Sequence, residues 1–167
     1  MLLTERLRLV PCAEGDVEAL HALLTHPEVR RYLMDDKLVE RTWVFDVIAS
    51  SRRTFAEARY GLWRVESLAD GALIGLAGLR VTAGAREPQL LYALDPAYWG
   101  RGLATEAAQV AFDDLRTRVG LRRIVSIAQR DNEPSIRIMK ALGFTFERAM
   151  DYHGFPCVLH AWVGAVQ

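Results

Sequence analysis

The sequence predicts an α/β domain built on a mixed, largely antiparallel sheet. Three observations predict it. Short runs of strand-like period alternate with longer runs of helical period. An Asp-Gly pair at 70–71 joins two of the extended runs and signals a hairpin. From Gln89 onward an extended run, a glycine-bearing turn and a helical run follow one another. At 167 residues the chain reads as a single domain over 1–167, large enough for a core of its own.

The elements follow in order. Arg6-Leu7-Arg8-Leu9-Val10 alternates and predicts a strand. Gly15-Asp16 offers an N-cap to a helix over about 17–24. Pro27 to Leu33 predicts a second short helix, which Asp35-Asp36 breaks. Trp43, Val47, Ile48 and Phe55 at helical spacing predict a longer helix over 40–59, with its aromatics in the core. Tyr60 to Ser67 and Leu73 to Leu79 are the strands of the hairpin. Gln89 to Leu94 is the next strand, and a helix is expected from Leu103 to Val119. A short strand over 124–128 precedes a helix over 134–142, with Gly143 at its C′ position. The last segment, 144–163, reads as two strands with a turn near Gly154-Phe155-Pro156.

Composition narrows the function classes. Hydrophobic residues make up 51% and charged residues 25%, an ordinary soluble balance. The formal net charge is +0, which argues against a dominant electrostatic attraction to nucleic acid or anionic membrane. No apolar run reaches membrane-spanning length, and the start lacks a signal-peptide pattern. Cys12 and Cys157 lie far apart without metal-ligand spacing, so no metal is expected and both read as reduced thiols of a cytoplasmic protein.

The stretch Tyr98-Trp99-Gly100-Arg101-Gly102-Leu103-Ala104-Thr105-Glu106-Ala107 carries the chemistry. A strand, a glycine turn and a helix in that order aim backbone N–H groups and the positive end of a helix dipole at one point, which suits a phosphate. Glycines let a ligand approach the main chain. The stretch has no G-x-x-x-x-G-K-[ST], and no third Gly or Ala follows Gly100-x-Gly102 at dinucleotide spacing.

The stretch resembles the acyl-CoA-binding motif of the GNAT superfamily of N-acetyltransferases, Q/R-x-x-G-x-G/A, with Trp99, Gly102 and Ala104 in its three places. Trp99 departs from the usual Gln or Arg. The wording is similar to the subgroup that includes ribosomal-protein N-terminal acetyltransferases. Thr4 to Leu9 resembles the first strand of that subgroup. Asn132-Glu133-Pro134-Ser135, followed by Lys140-Ala141-Leu142-Gly143-Phe144, resembles its N-x-x-S…L-G-F segment. The three matches stand in the family's order. The resemblance implies a central sheet splayed into a V, with acyl-CoA in the gap. It implies acetyl-CoA as cosubstrate and direct transfer of the acetyl group to a primary amine, either a protein N-terminus or a small molecule. Dimers are common in that family. A non-catalytic acyl-CoA-binding module on the same fold is the alternative.

Acyl transfer from a thioester to an amine needs a deprotonated amine, a stabilised carbonyl oxygen and a stabilised thiolate. By resemblance, the amides of Gly100, Arg101, Gly102, Leu103, Ala104 and Thr105 hold the pyrophosphate. Backbone groups at Leu94, on a strand that carries a bulge in the family, polarise the thioester. Asn132 lies near the pantetheine arm and Ser135 near the sulfur as a proton donor. Both residues also read locally as the cap and first turn of a helix. Tyr92, Tyr98 and Tyr152 are alternative acids. The base is open, because Gln89 stands where many relatives carry Glu. Glu87 shares a strand face with Gln89 if the strand reaches that far, which Pro88 opposes. Asp151, Glu147 and His153 are further candidates. Glu106 reads as a dipole-complementing structural residue, and Lys140 as a contact to the CoA 3′-phosphate or a helix C-terminal cation. Trp63, Tyr32, Phe155 and Trp43 are aromatics that line an acceptor pocket or the core.

Overall fold

The computed structural model describes residues 1–81 and 87–164. Among these are eight strands and five α-helices. The strands are β1 (Leu2–Leu3), β2 (Leu7–Pro11), β3 (Leu62–Ser67), β4 (Leu73–Arg80), β5 (Gln89–Leu94), β6 (Arg123–Gln129), β7 (Thr145–Tyr152) and β8 (Phe155–Val163). The helices are α1 (Val17–Thr25), α2 (Pro27–Leu33), α3 (Arg41–Ala58), α4 (Leu103–Asp114) and α5 (Glu133–Ala141). One sheet contains every strand, in the order β1-β2-β3-β4-β5-β6-β8-β7. All neighbours are antiparallel except β5 and β6. The mixed, largely antiparallel α/β architecture expected from the sequence is therefore present.

Apolar side chains fill both faces of the sheet. On one face α4 and α5 bury Ala107, Ala111, Phe112 and Met139 against Leu7, Leu9, Val65, Leu90 and Ile124. On the other, α1, α2 and α3 bury Leu20, Leu24, Val29, Val44 and Ile48 against Leu62 and Leu76. Trp63, 2% exposed, packs edge-on to Phe55 at 5.1 Å. It is a core residue, not a pocket wall.

Most turns follow their sequence signals. Gly71 takes φ +74° in the β3–β4 hairpin, and the Gly71 N–H donates to the Ser67 carbonyl at 2.8 Å. The β7–β8 turn is His153-Gly154, with φ +54° and +86°, so Phe155 and Pro156 already belong to β8. Beyond Asp114 the expected helix continues as a π-helical turn over Leu115–Val119. The left-handed Gly120 caps this turn, and its N–H donates to the Leu115 carbonyl.

The expected bulge is on a different strand. β5 pairs with β4 without a break from Gln89–Arg80 to Leu94–Gly75. The slip lies instead between β3 and β4, where Val65 faces Gly75 and the next residue, Glu66, faces Leu73. The extra residue is thus Ile74 on β4. It explains why Ile74 and Leu76, two apart, enter opposite cores.

Glu106, in the first turn of α4, holds the chain's N-terminal strands. It accepts from the Thr4 hydroxyl at 2.5 Å, from Arg6 Nε at 2.7 Å and from the Arg6 amide at 3.2 Å. Burial pushes its carboxyl up, and the bonds from Thr4 and Arg6 more than offset this, leaving it below the usual carboxylate range. The folded value lies below the unfolded one of about 4.3. Its stabilisation is therefore complete above that unfolded value and lost as pH falls through the folded one. Melting curves of wild type and Glu106→Gln should differ by about 1.5 kcal/mol near neutrality and converge in acid. A difference that stays constant down to pH 2 would show that the carboxylate does not carry the contact.

Gly78 generates a second prediction. Its φ is +142°, and a Cβ there would sit 2.2 Å from the Gly61 backbone oxygen. Gly78→Ala should destabilise by about 3 kcal/mol, lowering the melting temperature by roughly 6–12 °C. An unchanged melting temperature would mean that β3 and β4 separate freely at this point.

Candidate active site

The sheet opens between β5 and β6. These parallel strands share one register pair, Gln89 with Val125. Two contacts flank it: the Val125 N–H donates to the Pro88 carbonyl at 3.3 Å, and Ser126 Oγ donates to the Leu90 carbonyl at 2.9 Å. Past Leu90 the strands diverge, and a cavity of about 660 Å³ fills the gap. Its walls are β5 from Leu90 to Leu94, β6 from Ser126 to Ala128, the loop before α4 with that helix's first turn, one side of α5 as far as Ala141 and one side of α2.

The backbone of β5 supplies donors to this cavity. The Asp95 N–H donates to the Ile74 carbonyl at 2.7 Å, so the paired residues Leu94 and Gly75 do not bond each other. Alternation gives Tyr92 and Ala77 the same status. The N–H groups of Tyr92 and Leu94 therefore point away from β4, into the gap. No bulge on β5 is needed to free them; the parting of β5 and β6 does so. The Leu94 carbonyl, on the same side, accepts from the Trp99 indole Nε1 at 2.8 Å.

That bond gives Trp99 a role at its unusual motif position: the indole ties the loop to the end of the strand. Asp95 and Pro96 start the loop, with the Asp95 side chain accepting from the Ala97 N–H at 2.9 Å. Gly100 and Gly102 then take φ +74° and +75°, and Gly102 is the N-cap of α4. These left-handed steps turn the chain so that Gly102, Leu103, Ala104 and Thr105 line the cavity together with Gly100. The first-turn amides of α4 have no intrahelical acceptor. Arg101 is different. Its guanidinium donates to the Ala97 carbonyl at 3.3 Å and lies 5.6 Å over the Tyr98 ring, and the residue does not line the cavity. Only its backbone belongs to the turn.

Asn132 and Ser135 enter from the start of α5, where the local reading of the sequence, a cap and a first turn, holds. Asn132 is the N-cap, its Oδ1 accepting from the Ser135 N–H at 3.3 Å, and both residues line the cavity. Tyr92 faces them from β5. Its hydroxyl lies 3.0 Å from Ser135 Oγ and 3.0 Å from the Ser135 carbonyl. Burial pushes the Tyr92 phenol up to about 12, with the Ser135 bond pulling the other way. Tyr98 also lines the cavity, but its hydroxyl donates to Asp70 at 2.9 Å. Tyr152 stacks on His153.

The candidate bases do not gather here. Glu87 lies before the first residue of β5, at the closed end of the gap, where Arg123 holds it in an ion pair. The Arg123 hydrogen bond draws its carboxyl below the usual range despite some burial, which makes it a weak proton acceptor. This corrects the expectation that Glu87 reaches the reaction: Pro88 ends the strand face that would have carried it there. Glu147 joins the same Arg123 at 2.9 Å. His153 pairs with Asp35 at 2.9 Å, and Asp151 accepts from the Gly154 N–H at 2.9 Å. None of these lines the cavity. Lys140, in the last turn of α5, does not line it either, whereas Arg137 does.

Among the described residues, the carboxylate that does line the cavity is Glu28, with Tyr32 one turn further along α2. Sequence reasoning named Tyr32 and missed Glu28 and Arg137. The i, i+4 spacing of Glu28 and Tyr32 was the available signal, but it does not say which side of α2 meets β5. Trp43 lies under the Arg80 guanidinium at 5.3 Å, away from this cavity, and Phe155 does not reach it.

Comparison with known proteins places this geometry. The family model of the acetyltransferase (GNAT) domain matches residues 6–145. The chain is 28% identical over 148 residues to the uncharacterized N-acetyltransferase YoaA of Bacillus subtilis, covering 88% of this chain and 84% of that one. It is also 28% identical over 149 residues to spermidine N(1)-acetyltransferase of Escherichia coli, covering 89% and 77%. Its fold is similar to that of RimL, a ribosomal L7/L12 alpha-N-protein acetyltransferase solved in complex with coenzyme A. The TM-score is 0.80, the identity 18%, and 96% of each chain is covered. The match over 6–145, on a sheet that parts between β5 and β6, shows that the chain belongs to the GNAT acetyltransferase family.

Proposed function

We propose that the protein transfers an acetyl group from acetyl-CoA to a primary amine, directly, in a complex that holds both substrates. One observation carries the reading. The outward N–H groups of β5 and the first-turn amides of α4 meet in a single cavity. The two sets of donors suit two parts of one molecule, an amide-bearing arm and a pyrophosphate. Buried backbone donors need acceptors, and the pantetheine arm of coenzyme A offers amide carbonyls to Tyr92 and Leu94. A diphosphate fits the left-handed glycines and the dipole of α4. Gly102 leaves room for it, since a Cβ there would meet only Arg6 Nη2 at 3.7 Å.

The remaining roles follow from position. The Leu94 N–H end of β5 polarises the thioester carbonyl. Ser135 Oγ donates toward the departing sulfur, and Asn132 both caps α5 and borders the pantetheine arm. Glu28 attracts the acceptor's ammonium, which loses its proton before attack. Two acceptor classes are supported by the relatives: a polyamine, as for the spermidine enzyme, and a protein N-terminus, as for the ribosomal-protein enzyme. The motif wording Tyr98 to Ala107 favours the second, and the subgroup of ribosomal-protein acetyltransferases is the finer assignment we propose.

Calorimetric titration should show saturable binding of acetyl-CoA and none of ATP or NAD. Binding of ATP or NAD without acetyl-CoA would assign the loop to another nucleotide. Gly102→Glu places a bulky anion where the pyrophosphate is expected. With φ at +75° it should strain the backbone by about 1–2 kcal/mol, leave the protein folded and reduce acetyl-CoA affinity at least a hundredfold. A folded variant that binds normally would remove the loop from the cofactor site.

A further inference from the structure

We propose that Tyr92 is a positioning residue for Ser135: its hydroxyl fixes the serine Oγ and leaves the serine proton free for the sulfur that departs from the thioester. The inference rests on the acyltransferase reading of the cavity and adds a residue from the facing strand to it.

The argument starts from proton counting. The Tyr92 hydroxyl lies 3.0 Å from both the Oγ and the carbonyl oxygen of Ser135. A phenol has one proton to donate. If that proton goes to the carbonyl, the phenol oxygen is left to accept from Ser135, whose hydroxyl then turns toward Tyr92. If it goes to Oγ, the serine proton has no partner in Tyr92 and is available to the cavity. A growing negative charge on sulfur selects the second arrangement. In both, the serine oxygen keeps the same neighbour, so little reorganisation is required as charge develops.

The surroundings hold the pair in place. Ser135 N–H is engaged by Asn132 Oδ1, which fixes the first turn of α5. Tyr92 sits on β5 between Leu91 and Ala93, in a strand paired without a break to β4. Burial pushes its phenol up to about 12, so it remains protonated at physiological pH and acts as a donor, not as the source of a proton. The step balances without it. The amine nitrogen bonds to the acetyl carbon, the carbon–sulfur bond breaks, and its electron pair leaves on sulfur as a thiolate hydrogen-bonded to Ser135 Oγ–H. The amine's proton departs to solvent.

The test is thiol release from acetyl-CoA by wild type, Tyr92→Phe, Ser135→Ala and the double variant. The acceptors are spermidine, a short peptide with a free N-terminal amine, and water; the departing sulfur is common to all three. Tyr92→Phe should lower kcat about tenfold and leave KM for acetyl-CoA within about twofold. Ser135→Ala should lower it at least as much, and the double variant should fall no further than Ser135→Ala alone. A Tyr92→Phe enzyme with wild-type kcat, a change confined to KM, or losses that multiply in the double variant would each overturn the assignment. A wild-type protein that fails to bind acetyl-CoA would overturn the acyltransferase reading and this inference together. Wild-type turnover with an unaffected Tyr92→Phe would overturn this inference alone.

Discussion

The parting of β5 from β6 is the constraint on which the rest of the site depends. Two parallel strands in the middle of a sheet ordinarily satisfy each other's backbone groups. Here they do so at Gln89–Val125 and then separate. The unpaired edge of β5 becomes a row of donors inside the protein. Strand separation of this kind is unfavourable unless something else meets those groups. The Ser126 hydroxyl meets the Leu90 carbonyl, and the Trp99 indole meets the Leu94 carbonyl. The outward N–H groups of Tyr92 and Leu94 face the cavity, which is why a ligand rich in carbonyl oxygens fits it.

The same separation aligns the other parts. β5 ends where the Asp95-Pro96 turn begins, so the loop and the N-terminus of α4 stand at the open end of the gap. Glu106 ties that first helical turn to Thr4 and Arg6, and Trp99 ties the loop to the strand. The cavity-lining turn before α4 is thereby held by contacts on two sides. Across the gap, β6 leads within a few residues to Asn132 and Ser135 at the start of α5. A donor row, a helix N-terminus and a hydroxyl pair converge because β5, α4 and α5 border the same opening.

Electrostatics sorts the carboxylates. Glu87, Glu147 and Glu106 are each held by arginine. The Arg123 bond draws the Glu87 carboxyl below the usual range, and bonds from Thr4 and Arg6 outweigh burial at Glu106. A carboxylate engaged in that way serves the fold better than it serves proton transfer. Glu28 faces the cavity on a helix packed over the other side of the sheet. The protein thus keeps its arginine-paired acids at the closed end and at the base of α4, while a different one, Glu28, lines the cavity.

Much of this was legible in the sequence because it is local. The Asp70-Gly71 hairpin, the left-handed Gly100 and Gly102, the Asn132 cap and the limits of most elements follow from backbone preferences and side-chain period within a few residues. The resemblance of residues 98–107 and 132–144 to a known family supplied the arrangement that period alone does not contain. Other features depend on partners far along the chain. Arg123 captures Glu87 across 36 positions, and Tyr92 meets Ser135 across 43. The bulge sits on β4, one strand away from where it was expected, because the frame is set by how β3 and β4 pack their side chains into two cores. By itself the sequence determined which segments are strands, helices and left-handed glycine turns, since those choices are made by each residue and its neighbours. Only the tertiary structure decided which carboxylate meets the cavity, where the strands part and which hydroxyls touch, since those depend on strand order and register.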